Sequence, residues 1–209
     1  MPLLVRLVLA IGAALVLGLG SAYQVVRSGL SGGEIANGPW RTSLLTGSQE
    51  AGLYTRARVA VGGLLALAPS ETVYWNAEGD AEGRPLDARC DYRVEGAELP
   101  ARWWSVTAYG ADHFLIPNDA GRYSFSQTTL TRAPGGSWAM RVSTEPKPSA
   151  ASGARSEAKP SEAGNWLPSG RSGASGPFAL TLRLYNPAPE VYEQAATVAL
   201  PRIEREACR

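Results

Sequence analysis

The chain has 209 residues, the length of one domain with an appendage. Its 20 basic and 19 acidic residues give a net charge of +1, which argues against a nucleic-acid partner, because such proteins carry a basic excess. The single histidine and two cysteines are too few for a zinc site built from those residue types, and we expect no metal or cofactor. With 23 glycines and 15 prolines, the composition favours a turn-rich β protein over a helical bundle.

The N-terminal segment is apolar enough to cross a membrane. Residues 7–26, between Arg6 and Arg27, carry no charge and as a helix would span roughly 30 Å, the thickness of a bilayer core. We therefore predict that residues 1–27, which include this uncharged stretch, form a transmembrane anchor. A cleaved signal peptide is the alternative, because Gly20, Ser21 and Ala22 form a tolerable cleavage site. The positive-inside rule keeps the N-terminus cytoplasmic, which makes the protein single-pass in a bacterial inner membrane with its soluble domain in the periplasm.

The next segments predict a linker and a helix. Residues 28–51 are glycine-rich and are interpreted as a linker, and residues 206–209 as a tail after a domain at 52–205. Within residues 52–68, five side chains at helical spacing predict one amphipathic helix packed on the domain and ended by Pro69, namely Leu53, Ala57, Val61, Leu64 and Leu65.

From residue 72 onward the hydrophobic period changes to two, which predicts β-strands. Strands are predicted at 72–75, 89–95, 103–109, 114–116, 122–127, 137–143 and 178–185. Short strands with turn signals between them indicate a mainly β fold, a jelly-roll-like antiparallel β-sandwich. Residues 145–164 contain only small, polar and charged side chains, and we expect a disordered insertion there.

The two cysteines are Cys90, in a predicted strand, and Cys208, in the tail. In an oxidising compartment they would form a disulfide, and the alternative is a pair of unbonded thiols.

Eight short motifs follow one another in a fixed order. They are VYW (73–75), D-x-x-G-x-P-L-D (80–87), WWSVTAYG (103–110), N-D-x-x-R-Y-S (118–124), GSW (136–138), NWLP (165–168), GPF (176–178) and LRLYNP (182–187). This order resembles the bacterial domain-of-unknown-function family numbered 1214, which is often found beside a second family numbered 1254. The resemblance implies a jelly-roll-like β fold without an agreed activity. The chain resembles a short, membrane-anchored member without the companion domain.

Polar residues alternate along two of the predicted strands. One polar face carries Ser105, Thr107 and Tyr109, and the other carries Thr181, Arg183 and Tyr185. If the strands are neighbours, an arginine lies among hydroxyls and rings, a combination suited to carboxylate, phosphate or sugar. The alternative is that Arg183 only pairs with an acidic residue across the sheet. Further candidates are Arg122, which would share the pocket, Asn165 and Trp166 as an amide and a stacking wall, and Asp80 and Asp91 as polar partners.

Two other patterns are weaker. His113 is the only histidine and falls at a predicted hairpin tip, and no G-x-S-x-G motif accompanies it, so a Ser–His–Asp triad is disfavoured. The acidic spacing in residues 76–87 is similar to a calcium loop, but Ala81 occupies the position where the sharp turn needs glycine. A solvated hairpin is the preferred interpretation of that segment.

These patterns favour a membrane-tethered ligand-binding or protein-interaction module. Its partner would be an anionic or carbohydrate component, or a protein, of the cell envelope. One alternative is a hydrolase of envelope material, using a carboxylate such as Asp80 or Asp91 with Tyr109. The other alternative is a structural scaffold.

Overall fold

The computed structural model describes residues 2–28, 33–62, 64–146 and 164–209. The predicted insertion at 145–164 lies, except for its ends, outside these described residues. The described elements are three helices and ten strands. The helices are α1 (Leu3–Ser28), α2 (Leu53–Val61) and α3 (Glu190–Glu193). The strands are β1 (Ile35–Asn37), β2 (Trp40–Thr42), β3 (Thr72–Ala77), β4 (Cys90–Gly96), β5 (Ala101–Gly110), β6 (Ser124–Ser126), β7 (Trp138–Ser143), β8 (Trp166–Pro168), β9 (Phe178–Pro187) and β10 (Arg202–Cys208).

The strands form two sheets. The larger sheet has the order β1-β2-β3-β9-β5-β6 and is antiparallel throughout. The smaller sheet has the order β10-β4-β7-β8, in which only the β7–β8 pair is parallel. The prediction of a mainly β fold with antiparallel sheets is therefore confirmed.

The inner faces of the two sheets share one hydrophobic core. Trp104 of β5 stacks on Trp138 of β7 with their ring centroids 4.9 Å apart, and both rings are buried. Tyr92 of β4 meets Phe178 of β9 edge to face at 5.7 Å. These aromatic contacts join the sheets, because each pair takes one ring from either side of the sandwich.

Several boundaries differ from the sequence prediction. The predicted linker contains β1 and β2, and Trp40 of β2 is buried in the core with its Nε1 donating to the carbonyl of Pro201 at 2.6 Å. The predicted tail is the end of β10, which pairs with β4 as far as Cys208. Three-residue strands such as β1 and β2 are too short for a period-two pattern to stand out, which is why the sequence indicated a linker.

The amphipathic helix also differs from its prediction. It ends at Val61, with Gly62 as its C-cap, instead of continuing to residue 68. None of its residues is buried, so the apolar side chains of α2 do not join the core as predicted. Hydrophobic periodicity alone identified the helix correctly but could not say which surface its apolar side would meet.

Helix α1 is the apolar N-terminal segment. Its stretch Leu3–Val26 has a mean hydropathy of 2.4, and none of that stretch is buried against the rest of the protein. Its length and composition suffice to cross a membrane, which is also true of a signal sequence.

Candidate functional site

A polar surface covers the side of the larger sheet that faces away from the core. Its residues alternate with core residues such as Leu182 and Leu184, which point inward from the same strand. We call this surface the Arg183 face. It consists of Tyr74 and Asn76 from β3, Thr181, Arg183 and Tyr185 from β9, Trp103, Ser105, Thr107 and Tyr109 from β5, and Ser124 and Ser126 from β6.

Strand register sets which of these residues are neighbours. β5 and β9 pair directly, as the hypothesis of a shared polar face required. In one row across the sheet Arg183 lies between Tyr74 on β3 and Ser105 on β5, and Ser105 faces Ser126. The next row runs Asn76, Thr181, Thr107 and Ser124. The register thus surrounds one cation with hydroxyl and aromatic side chains.

The guanidinium of Arg183 is held by hydroxyl groups on β5. One terminal nitrogen donates to Thr107 Oγ1 at 3.2 Å and the other to the hydroxyl of Tyr109 at 2.8 Å. Its central carbon lies 5.4 Å from the ring centroid of Tyr109 and 5.9 Å from that of Tyr74, within cation–π range. These contacts fix the position of the side chain and leave further N–H groups of the guanidinium available as donors.

The partners of Arg183 are neutral. Over the described ranges, no carboxylate forms an ion pair with Arg183, and its hydrogen bonds go to Thr107 and Tyr109. The alternative in which Arg183 pairs with Asp80 or Asp91 is therefore wrong. Both carboxylates are held by other arginines, Asp80 by Arg84 and Arg205, and Asp91 by Arg141 and Arg209.

Asp80 lies in the turn after β3 and is buried. Its carboxylate accepts from the backbone N–H groups of Glu82 and Arg84, each at 3.0 Å, and from Arg84 Nε at 2.9 Å, while Arg205 Nε lies 3.2 Å away. Burial by itself would raise the pKa of Asp80, but the hydrogen bonds from Arg84 and Glu82 outweigh it and lower the pKa. Asp80 is both a turn-forming residue and a buried partner for arginine, and the predicted solvated hairpin is in this respect wrong.

Asp91 belongs to a different charge network, on the outer side of the smaller sheet. Its carboxylate lies 2.6 Å from an Arg141 nitrogen and 3.6 Å from one of Arg209, and Arg141 also pairs with Glu206 at 2.7 Å. Asp80 and Asp91 thus have no arginine in common. Each carboxylate that the hydrolase alternative would use is already engaged by two arginines.

The small hydroxyl residues of the Arg183 face are buried beneath the larger side chains. Ser105, Thr107 and Thr181 are each 6% exposed, and the Thr181 hydroxyl donates to Asn76 Oδ1 at 2.8 Å. At one end of the face, Tyr185 packs against Trp103 with 5.0 Å between ring centroids. The half-buried Arg183, Tyr109, Trp103 and Tyr185 are therefore the groups that a bound molecule would meet first.

Three predicted site residues lie elsewhere. Arg122 donates to the backbone carbonyl of Trp166 at 2.9 Å and lies over the Phe125 ring, on the core side of β6, and burial lowers its pKa. Asn165 uses its amide to hold the backbone of Thr131. Trp166 donates from Nε1 to Ser143. The prediction that Arg122, Asn165 and Trp166 share a pocket with Arg183 is wrong, since Arg122 bonds to β8, Asn165 to the segment after β6 and Trp166 to β7.

The sequence reasoning missed Tyr74 as a site residue. Its ring lies beside Arg183, and its hydroxyl accepts a hydrogen bond from the Leu67 backbone N–H at 3.0 Å. The available signal was the alternation of Thr72, Tyr74 and Asn76 in β3, which places these residues on one side of the strand. Only the β3–β9 register, however, brings Tyr74 opposite Arg183.

Two open depressions lie away from the Arg183 face. The larger, of about 660 Å³, is lined by Arg93, Arg132, Arg202 and Asn165 among others. Each of these arginines is paired with a glutamate, namely Glu95, Glu98 and Glu204 respectively. The smaller, of about 320 Å³, lies beside Phe178 and Ser169.

Among the residues that the structure describes, no group of three or more histidine, cysteine or acidic side chains is placed to hold a metal ion.

Cys90 and Cys208 form a disulfide bond. They lie opposite each other at one end of the β4–β10 pair, so the bond joins the start of β4 to the end of the last strand. The backbone of Arg209 continues the pairing by donating to the carbonyl of Arg89 at 3.0 Å. The bond therefore fastens the edge strand of the smaller sheet.

The fold and its polar outer face define a two-sheet β domain preceded by an apolar helix. A family model described as "Protein of unknown function (DUF1214)" matches residues 71–189, more than half of the chain. The chain belongs to this family, as the order of its motifs predicted. No curated protein sequence matches the chain.

Two solved structures are similar in fold. The VPA0106 protein from Vibrio parahaemolyticus is 24% identical with a TM-score of 0.56, and the match covers 76% of this chain and 36% of that one. An uncharacterized protein from Burkholderia cenocepacia is 20% identical with a TM-score of 0.46, and the match covers 92% of this chain and 42% of that one. The chain thus spans less than half the length of either protein. The first similarity supports the fold alone.

Proposed function

We propose that the protein is a membrane-tethered binding module whose Arg183 face holds an anionic or sugar-like component of the cell envelope. The observation that carries the proposal is the arrangement of Arg183. Its guanidinium is fixed by Thr107 and Tyr109, and its charge is not compensated by a carboxylate of the described residues. A jelly-roll-like connectivity of the sandwich, implied by the resemblance, belongs to the same proposal.

The chemistry of the face fits such a ligand. A guanidinium offers a planar set of donors that matches a carboxylate or a phosphate, and a hydrogen bond to a charged group contributes about 1.5–3 kcal/mol. The rings of Tyr109 and Tyr185 offer flat apolar surfaces against which a sugar ring can pack, and the Tyr109 hydroxyl can donate to a ligand while accepting from Arg183. The paired arginines of the larger depression lack this freedom, because glutamates already occupy them.

The same proposal places α1 in the bacterial inner membrane as an uncleaved single-pass anchor, with the β domain in the periplasm. The disulfide between Cys90 and Cys208 supports this placement, because disulfides persist in oxidising compartments and are rare in the cytosol. Measuring the intact mass of the protein from the membrane fraction tests the anchor. We expect the mass of a chain that still contains residues 7–26. The mass of a chain that begins near Ala22 would indicate a cleaved signal peptide.

A thermal-shift panel tests the binding function on the full chain in detergent micelles. The panel contains sugars, organic acids, inorganic phosphate and lipid head groups. A ligand at one hundred times its dissociation constant stabilises the folded state by about 2.7 kcal/mol, a shift of roughly 5–10 °C for a domain of this size. We expect at least one compound to give such a shift with wild type.

Two variants make the panel decisive. Arg183→Ala should abolish the shift, whereas Arg102→Ala should keep it, because Arg102 is an exposed arginine on the same sheet outside the Arg183 face. Both substitutions remove one positive charge. A difference between their ligand-induced shifts in melting temperature therefore reports where the ligand binds and not the change in net charge. If no compound shifts wild type and Arg183→Ala melts several degrees lower, Arg183 is structural, and a scaffold is the better account.

A further inference from the structure

Helix α2 exposes its apolar side. Leu53 is 85% exposed and Val61 68%, and Leu65, just beyond the helix, is 96% exposed. The partly covered residues of the helix are Thr55, Ala57, Arg58 and Val59, and of these Thr55 and Val59 lie on the side opposite Leu53. An apolar helix side turned away from the protein is unfavourable in water, because apolar side chains gain free energy when they are buried.

The arrangement of residues around α2 is that of a helix lying in a membrane interface. At 100° per residue, the apolar residues occupy an arc of about 120°, formed by Leu53, Tyr54, Ala57, Ala60 and Val61. Arg56 and Arg58 fall on the two borders of this arc. Interfacial helices bury the apolar arc at the boundary between headgroups and acyl chains, and basic residues at the borders meet lipid phosphates.

The two arginines are held in different ways. Arg56 donates to the backbone carbonyls of Ala51 and Gln49, at 2.8 Å in each case, which holds the side chain without cancelling its charge. Arg58 lies 3.9 Å from Glu34, with both side chains well exposed. An ion pair this long and this exposed contributes little.

The position of α2 beside α1 favours lipid as the partner of its apolar side. α2 contacts α1. Along α1, the described side chains are exposed except for Ala22, Val25 and Val26, which are partly covered and lie at the end of the apolar stretch. If α1 crosses a bilayer, this end meets the headgroup layer, so α2 lies at the same depth.

We propose that the apolar arc of α2, together with Leu65, lies on the lipid surface and forms a second attachment of the domain beside α1. This inference rests on the proposed anchoring by α1. The Leu67–Tyr74 hydrogen bond connects the segment after α2 to the Arg183 face. The second attachment therefore holds the Arg183 face in a defined orientation relative to the membrane, which a single helix followed by a linker would not do.

The test uses the full chain in nanodiscs with anionic lipid and one bimane probe per variant. The introduced cysteines are Leu53→Cys and Val61→Cys on the arc, Phe114→Cys as an exposed apolar control outside α2, and Leu15→Cys in the middle of α1. The native cysteines are already joined in a disulfide. Quenching is measured with lipids that carry a nitroxide on acyl carbon 5 for α2 and on carbon 12 for α1.

We expect at least twofold quenching at Leu53→Cys and Val61→Cys, and an unquenched probe at Phe114→Cys. If the arc probes are unquenched while Leu15→Cys is quenched, the inference about α2 is overturned and the anchor stands. If Leu15→Cys is also unquenched, the anchor itself is wrong and the inference falls with it. A blue-shifted but unquenched probe on the arc would show that protein, and not lipid, covers α2.

Discussion

Removing the disulfide should destabilise the domain strongly. The bond joins residues 118 positions apart, so it closes a loop that contains most of the sandwich. In the chain-entropy treatment, the loss of a loop of this length costs about 5 kcal/mol, and at 2–4 °C per kcal/mol the melting temperature should fall by roughly 10–20 °C. The bond also fastens β10, an edge strand, to β4.

The assay follows near-ultraviolet circular dichroism during heating, with and without a reducing agent, because the buried tryptophans report tertiary packing and α1 contains no tryptophan. The Cys90→Ser/Cys208→Ser double variant should melt like reduced wild type and should not respond to the reducing agent. A melting temperature that falls by less than 3 °C on reduction would refute the reasoning. It would mean that the β4–β10 pairing holds this edge without the bond.

Four further substitutions test the core packing, the charges and the glycine conformations. Trp104→Ala should cost about 3–5 kcal/mol in a denaturant titration, because the ring is fully buried between the sheets. The Arg89 guanidinium lowers the pKa of Asp87 from 3.8 to about 2. Asp87→Asn should therefore melt at a lower temperature than wild type at neutral pH. The difference should vanish as the pH falls from 3.8 to about 2, because Arg89 stabilises the ionised carboxylate and the carboxylate becomes protonated there. Gly47→Ala should destabilise the domain by about 1–3 kcal/mol, because φ is +79° and the new Cβ would lie 1.9 Å from a backbone oxygen. Gly38→Ala, with φ +57° but open space around it, should cost less.

The long strands were predictable because their alternation is clean. In β9, Leu180, Leu182 and Leu184 alternate with Thr181 and Arg183, and this pattern has no helical interpretation. The same alternation predicted the polar composition of the outer face before the register was known. The local pattern was sufficient because strand periodicity depends on neighbouring residues alone.

What failed depended on contacts between distant residues. The partner of Arg183 is decided by the register of three strands, and the sequence offered Asp80 and Asp91 as equally plausible acids. The position of Arg122 depends on how the edges of the two sheets meet. Strands as short as β6 and β8 carry too few residues for the sequence pattern to predict this. For α2, the periodicity predicted a helix with an apolar side. Whether that side is exposed, however, depends on how the rest of the chain packs around the helix.

The most direct test of the account is an equilibrium titration of the strongest ligand from the thermal-shift panel, by calorimetry on the full chain. The proposal predicts that Arg183→Lys binds about 10- to 100-fold more weakly than wild type, because lysine keeps the charge but loses the planar pair of donors. Arg102→Ala should bind like wild type. Equal affinity for wild type, Arg183→Lys and Arg183→Ala would contradict the account and place the ligand away from the Arg183 face.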